Sequence, residues 1–424
     1  MTRSIIWFRN DLRLADNPAL AAAVEESDEI LPLLIIDPAQ HGRSPFGFER
    51  SVSFMRRFIH EGISDLAGAL RAKGSALSVR VGDPASVIFQ VAKLWKVDVV
   101  HAQHLYGWEE QQQERSVARE VDLHLHAPNT LLLPEDLPFR MEEIPHVFTA
   151  FRTKVEPSVP VRNVCPEPEL ITSPSSWGER TLNLIDLPFV PYASDPRASL
   201  KIEGGRAAGL ARLKHYLWDT RALSTYKETR NGLLGADYSS KFSPWLASGA
   251  LSAREIQHEV ERYEAEYGAN ESTYWLFFEL LWRDFFQFTA AKHGADLFKR
   301  TGIAHKAFQG NQDEKCFQAW CEGRTGHPFI DGNMRELATT GWMSNRGRQN
   351  VASYLVHDLG LDWRMGAYWF ERMLIDYDPC SNWGNWQYLA GVGNDPRGTR
   401  RFDPDRQARM YDRDAHYQRL WRDV

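Results

Sequence analysis

A chain of 424 residues with a formal charge of −6 has no global attraction for nucleic acid, so any such surface has to be a local basic patch on an acidic body. Hydrophobic residues make up 43% and charged residues 25%, which excludes a disordered or fibrous chain and fits two or three globular domains. Cys165, Cys316, Cys321 and Cys380 lack C-x-x-C spacing and no apolar run is long enough for a bilayer, so a disulfide framework, a zinc or other metal site and a membrane span are not expected, and the cytoplasm is the default location.

Residues 4–8 (SIIWF) open the chain as a buried-type strand with no signal peptide before it. A turn at 10–14, a helix over 18–26, a second strand at 30–36 and a long amphipathic helix over 49–72 follow. Further strands are expected at 76–81, 97–101 and 123–126, with helices near 86–93 and 109–121. Strands alternating with helices predict an α/β domain over 1–128 built on a parallel, Rossmann-like sheet. No G-x-G-x-x-G follows the first strand and no G-x-x-x-x-G-K-[ST] occurs, which removes the main support for dinucleotide and P-loop readings.

Between Pro128 and Pro196 lie twelve of the twenty-two prolines and few periodic apolar runs, so 129–204 is read as a long inter-domain connector with short helical pieces near 146–155. A segment of that length needs packing on both domains to be ordered. From Gly205 the period is helical, with helices predicted over 206–218, 244–249, 252–267, 272–292, 313–323, 329–339 and 345–359. This makes 205–424 an all-α domain, and eleven of the fifteen tryptophans lie at or after Trp218.

Three stretches of the helical half carry chemistry. In Tyr238-Ser239-Ser240-Lys241-Phe242-Ser243-Pro244, Ser243 as N-cap and Pro244 at the first helical position make a helix start. Free N–H groups, hydroxyls and a cation there suit a pyrophosphate, and a plain capped helix is the alternative. In STYWLFFELLWRDFFQFTAAK, Trp275, Glu279, Trp282, Arg283 and Phe286 share one helical face. Glu279 is then either half of an i, i+4 pair with Arg283 or a carboxyl at the floor of a base-binding pocket walled by Trp282. In GWMSNRGRQNVASYL, Asn345, Arg348 and Gln349 share a face; from Ile375 to Tyr388, Asp376, Asp378, Asn382 and Asn385 lie among Trp383 and Trp386 in a segment broken by Pro379 and Gly384. Polar groups among indoles in an irregular segment point to a pocket for a large, flat, partly polar ligand.

GWMSNRGRQNVASYL followed by IDYDPCSNWGNW resembles the flavin-binding core of the photolyase/cryptochrome family and is most like its DASH branch. The resemblance runs from IIWFRNDLRLADNPAL to GVGNDPRGTRRF. It implies FAD as cofactor. Tyr226, Asn345, Arg348, Asp376, Asp378 and Asn382 would surround it, Ser239, Ser240, Lys241, Phe242 and Ser243 would hold its phosphates, and Arg283 would pair with Asp376. Asn382 would face the flavin N5. Glu279 would touch the bases of a pyrimidine dimer and Trp282 would stack on it. The (6-4) relatives carry histidines at the positions of Asn345 and Gln349, so that chemistry is not expected here. Gln349 and Tyr388 stand where cyclobutane-dimer relatives usually have Met and Trp; a more polar pocket with less stacking area grips a lesion less and favours unpaired strands.

The resemblance also implies a tryptophan chain for electron transfer through Trp386 and Trp363. Its usual outer position falls on Gly310, leaving Trp320 as a candidate replacement. Arg230, Arg346 and Arg401 match a DNA-facing rim, although an arginine-dense tail such as 393–424 is by itself most simply a solvated face. Glu109 and Glu110 fall near the residue that binds a folate antenna, 5,10-methenyltetrahydrofolate, in relatives. The expectation is therefore a monomeric, blue-light-driven repair enzyme for cyclobutane pyrimidine dimers in single-stranded or locally opened DNA. The alternative is a photoreceptor that binds FAD and nucleic acid and signals without repair.

Overall fold

The structure, a computed structural model, describes residues 1–177 and 194–422. Its first half is a five-stranded parallel sheet in the order β3-β2-β1-β4-β5, made of β1 (Arg3–Phe8), β2 (Glu29–Ile36), β3 (Ser78–Val81), β4 (Val99–Gln103) and β5 (Leu123–His126). The crossovers are α1 (Pro18–Glu26), α2 (Ser53–Ala72), α3 (Pro84–Trp95) and α4 (Trp108–Val117). Ile6, Phe8, Ile30 and Leu34 pack with α1 and α2, whereas Ile5, Trp7, Leu31 and Leu33 pack with α3 and α4. Burial on both faces is why these strands read as continuous apolar runs instead of alternating ones. The helix predicted from residue 49 begins at Ser53.

The connector is held from both sides. Leu131 and Leu132 donate their N–H groups to Asp284 at 2.9 and 2.7 Å, and Phe148, Phe151 and Val155 of α5 (Phe148–Val155) are buried in the helical core. Burial pushes Asp284 up to about 7, against those two hydrogen bonds. Ile171 and Trp177 pack instead on the sheet domain. The two halves also meet directly. Asp16 and Arg254 form a buried ion pair at 3.0 Å, and Arg13 donates to the carbonyl of Gly249 at 2.8 Å.

The helical half comprises α6 (Arg206–Lys214), α7 (Tyr226–Thr229), α8 (Ser243–Ala247), α9 (Ala253–Tyr267), α10 (Glu271–His293), α11 (Glu314–Cys321), α12 (Pro328–Thr340), α13 (Asn345–His357), α14 (Trp363–Met373), α15 (Pro379–Ala390), α16 (Pro404–Tyr411) and α17 (His416–Leu420). Asn270 caps α10 through its side chain, which accepts from Ser272 and Thr273.

Two expectations are corrected. The stretch 375–388, read as irregular, contains the helix α15: Asp378 accepts from the N–H of Ser381 at 2.7 Å, Pro379 takes the first helical position, and Gly384 sits inside the helix. A Cβ on Gly384 would come within 2.3 Å of the Phe286 ring, so this glycine permits close approach of α10 and does not break the helix. The tail is not simply a solvated face, because Tyr417 and Trp421 are buried and the Tyr417 hydroxyl donates to Glu336 at 2.6 Å. Helix α14 buries Trp363, Met365 and Phe370. Among the described residues no helix is long and apolar enough to cross a membrane.

Candidate functional site

Helices α10 and α15 lie side by side, α13 packs on α15, and α8 joins them through the Ser243 hydroxyl, which reaches Asp376. Together they build a polar cradle. Asp376, almost fully buried, accepts two hydrogen bonds from Arg348 at 2.9 and 3.0 Å and a third from the hydroxyl of Ser243 at 2.6 Å. Arg348 also donates to the carbonyl of Met343 at 2.9 Å and lies 5.1 Å over the Trp342 ring. Asp378 accepts from Gln287 of α10 at 2.8 Å, which ties the start of α15 to α10. The Asn382 amide donates to the carbonyl of Ala367 at 3.0 Å, leaving its oxygen as the end free to meet a ligand.

Two sequence expectations change here. Arg283 does not pair with Asp376; its guanidinium turns to the carbonyls of Asn129 and Leu246, and Arg348 takes the carboxylate. Ser243 does not cap a helix. It is the first residue of α8, Phe242 holds the cap position without a side-chain bond, and the Ser243 hydroxyl is committed to Asp376. With only five residues, α8 has little dipole, so an anion at Ser239–Ser243 would be held by hydroxyls and by Lys241. Arg212 collects the carbonyls of Ala236, Ser239 and Ser240 and so anchors that loop. Burial, and then the charge of Arg212, lowers Lys241 to about 6; its Nζ lies 3.3 Å from the Tyr238 ring centre and donates to the carbonyl of Ala236 at 2.8 Å. Asn345 opens α13 and is exposed, while Tyr226 is buried.

An aromatic wall forms where α10 meets α15. The Trp282 ring meets Tyr388 edge-on at 6.1 Å and 88°, is stacked on Phe148 at 3.7 Å, and also touches the rings of Phe285 and Phe286. One turn earlier on α10, Glu279 accepts from the Trp275 indole at 3.1 Å and is ion-paired with Arg230. The i, i+4 pair with Arg283 is not formed. Burial raises the pKa of Glu279 while Arg230 opposes the shift. Arg230, expected on the outer rim, is thus a partner of the pocket carboxylate. Arg346 holds Gln349 at 3.0 Å and Asn231 at 2.8 Å, and Arg401 is exposed and paired with Asp358 at 2.5 Å. Two tail arginines not assigned a site join them: Arg397 donates to the Tyr388 hydroxyl at 3.1 Å and Arg400 lies 4.9 Å over its ring. Their only sequence signal was the arginine density of the tail.

The Trp386 ring contacts Trp320 at 6.4 Å and Phe370 at 5.1 Å, and Trp363 contacts Trp383 at 5.6 Å. Gly310 is closed to any side chain, since a Cβ there would meet the carbonyl oxygen of Leu361 at 2.7 Å and the nitrogen of Asp362 at 2.9 Å. Gly310→Ala is therefore expected to lower stability by about 1–3 kcal/mol through overpacking, as read by urea unfolding. An unchanged midpoint would mean the backbone yields easily at this point.

A concavity of about 230 Å³ lies between the two halves at the C-terminal ends of β1 and β2, beside the reversal of strand order where open parallel sheets bind ligands. Glu109 and Glu110 are on its wall with Arg50, Trp7, Glu371 and Tyr377. Arg50 pairs with Glu109 at 2.7 Å and Glu371 at 2.6 Å. Burial pushes both Glu110 and Glu371 up to about 7. One oxygen of Glu371 and the Trp7 indole N–H are buried without a partner, an acceptor and a donor left for a polar heterocycle.

Residues 275–423 match the family model described as the FAD binding domain of DNA photolyase, and residues 4–169 match that described as DNA photolyase. The chain is 47% identical to a cryptochrome DASH of Gloeobacter violaceus over 98% of its own length and 85% of the relative's. It superposes on the crystal structure of a Synechocystis sp. cryptochrome with a TM-score of 0.95 at 44% identity, covering 99% of this chain and 88% of that one. An archaeal photolyase from Sulfolobus tokodaii, solved with two FAD molecules, is similar at a TM-score of 0.80 and 29% identity, covering 100% and 91%.

Proposed function

The chain belongs to the photolyase/cryptochrome family, with the DASH cryptochromes, and from that premise we propose that it repairs cyclobutane pyrimidine dimers in a blue-light-driven, FAD-dependent reaction, preferring single-stranded or locally opened DNA. The observation that supports this reading is the packing of α10 on α15, which sets Trp282 against Tyr388 and Gln287 against Asp378.

The cradle's donor set fits a flavin. Arg348, Asp376 and Asn382 offer charge and hydrogen bonds to a flat heterocycle, and Ser239, Ser240 and Lys241 suit a pyrophosphate. When bound, the reduced flavin supplies on illumination the electron that opens the cyclobutane ring. The chain's own residues bind and orient. Glu279 accepts from the base edge, Trp282 stacks on the flipped dimer, and Tyr388 is held edge-on by Arg397. Because Tyr388 stands at 88° to Trp282, the wall offers one stacking face where two parallel rings would offer more, which supports a weaker grip and a preference for strands already unpaired.

Arg397, Arg400 and Arg401 form the rim that meets phosphates. With three such contacts on a single strand, the logarithm of affinity is expected to fall against the logarithm of salt with a slope of about −2, and Arg401→Ala to make it shallower by about 0.7, as measured by fluorescence anisotropy. A slope near zero would remove this rim from the interface. The inter-domain cavity supports a second chromophore, methenyltetrahydrofolate, held through Glu109, Glu110 and Glu371.

The test is illumination of the flavin-reduced protein with thymine dimers in single-stranded and duplex oligonucleotides. Repair confined to the single strand supports the proposal, and equal repair of both removes the role given to Tyr388 and Gln349. Repair of neither by a fully reduced, flavin-loaded protein overturns it in favour of a photoreceptor.

A further inference from the structure

On the face of the sheet covered by α1, away from both sites described above, two strands and a helix end bring together residues with no role in flavin or DNA chemistry. His101 in the middle of β4 is paired in register with His124 of β5, so both side chains project to the same face. Helix α1 packs on β4 and β5 there and ends at Glu26. We propose that Glu26, His101 and His124 bind one divalent transition-metal ion, zinc by preference, that pins α1 to the outer strands of the sheet.

The geometry is that of a ligand set waiting to close. One ligand atom from each of the three residues lies within 4.8 Å of the other two. His101 Nε2 is 3.7 Å from a Glu26 oxygen, too long for a hydrogen bond. Tetrahedral zinc with bonds of about 2.0–2.1 Å would place two ligand atoms about 3.4 Å apart. The Glu26 and His124 side chains, roughly half-exposed, have the freedom to move that little.

His101 supplies the second, independent observation. It is fully buried and its Nε2 has no hydrogen-bond partner. Its Nδ1 is engaged with His126 Nε2 at 2.9 Å. If Nδ1 carries the proton and donates to His126, Nε2 turns a bare lone pair toward a carboxylate, an arrangement that a cation between them stabilises. A second ring nitrogen tied to a neighbouring acceptor is how metal-binding histidines are usually oriented. Two imidazoles and one carboxylate favour zinc over magnesium or calcium, which prefer oxygen-only sets. Three protein ligands leave a fourth position for water, and Asp122, 3.5 Å from His124 Nε2, is placed to accept a hydrogen bond from it or from the ring. None of these residues lines the inter-domain cavity, so the ion's effect is on the stability of the sheet's outer edge.

The experiment uses the full-length, flavin-loaded protein stripped with a chelator and titrated with zinc against a chromophoric competitor. Thermal unfolding is followed with and without zinc, and cobalt is substituted to read coordination geometry. Wild type is expected to bind one zinc per chain with sub-micromolar affinity, to gain thermal stability on binding, and to give the intense visible bands of tetrahedral cobalt. His124→Ala and Glu26→Gln, both at exposed positions and judged folded by an unchanged flavin spectrum, are expected each to weaken binding at least about tenfold and to lose the zinc-dependent gain. Absence of stoichiometric binding by wild type, or affinity unchanged in both variants, overturns the proposal.

Discussion

Replacing Glu279 by alanine is expected to lower light-driven repair by about ten- to a hundredfold while flavin remains bound. The carboxylate sits one helical turn from Trp282, accepts the Trp275 indole at 3.1 Å and neutralises Arg230. A hydrogen bond to a charged group is worth about 1.5–3 kcal/mol, and each 1.4 kcal/mol is tenfold in rate or affinity. Alanine removes that acceptor from the base edge and also frees Arg230, whose guanidinium lies 5.2 Å from the Trp275 ring and would draw a phosphate or the ring itself. Glu279→Gln keeps an oxygen for Trp275 and should fall between wild type and alanine. The measurement is the rate of repair of a thymine dimer in a single-stranded oligonucleotide, alongside the flavin absorption of each variant. Undiminished repair by Glu279→Ala would place the lesion elsewhere.

Asp376→Ala is expected to abolish stable flavin retention and to lower the unfolding free energy by about 3–5 kcal/mol, the range for removing one partner of a buried ion pair. Asp376 is 3% exposed and accepts three hydrogen bonds from two different helices, α8 and α13. Without it Arg348 remains three-quarters buried with a single acceptor, the carbonyl of Met343. Asp376→Asn keeps the shape and can still accept from Ser243, so a smaller loss is expected. Urea unfolding of the variants and flavin retained through gel filtration are the two readouts. A variant that keeps its flavin and its midpoint would show that Asp376 does not brace the site.

The helices and strands were largely legible because their apolar periods are local. Ile30 to Ile36 is a strand in any context that can bury both its faces, and Glu271 to His293 carries its own cap and an apolar length of six turns. Helix α15 was misread for a local reason as well. Pro379 and Gly384 are breakers when judged alone, yet one occupies the position where a helix tolerates proline and the other is required by a ring from α10. Arg397 and Arg400 could not be separated from the other arginines of the tail, because only packing reveals which of them reach Tyr388.

By itself, then, the sequence determined the alternation of strands and helices, the all-α second half and the motifs that carry the family resemblance. Partnerships between charges were decided by the tertiary structure. An i, i+4 pair such as Glu279–Arg283 is worth only about 0.2–0.5 kcal/mol, so it gives way whenever folding offers a better-buried alternative. Here it yields to Arg230 for Glu279 and to the carbonyls of Asn129 and Leu246 for Arg283. The same holds for Asp376 with Arg348, for Asp16 with Arg254, and for Glu26 beside His101 and His124. Charges and polar ring nitrogens removed from water take the partners that the packed helices and sheet bring within reach, and separation along the chain carries no information about which those are.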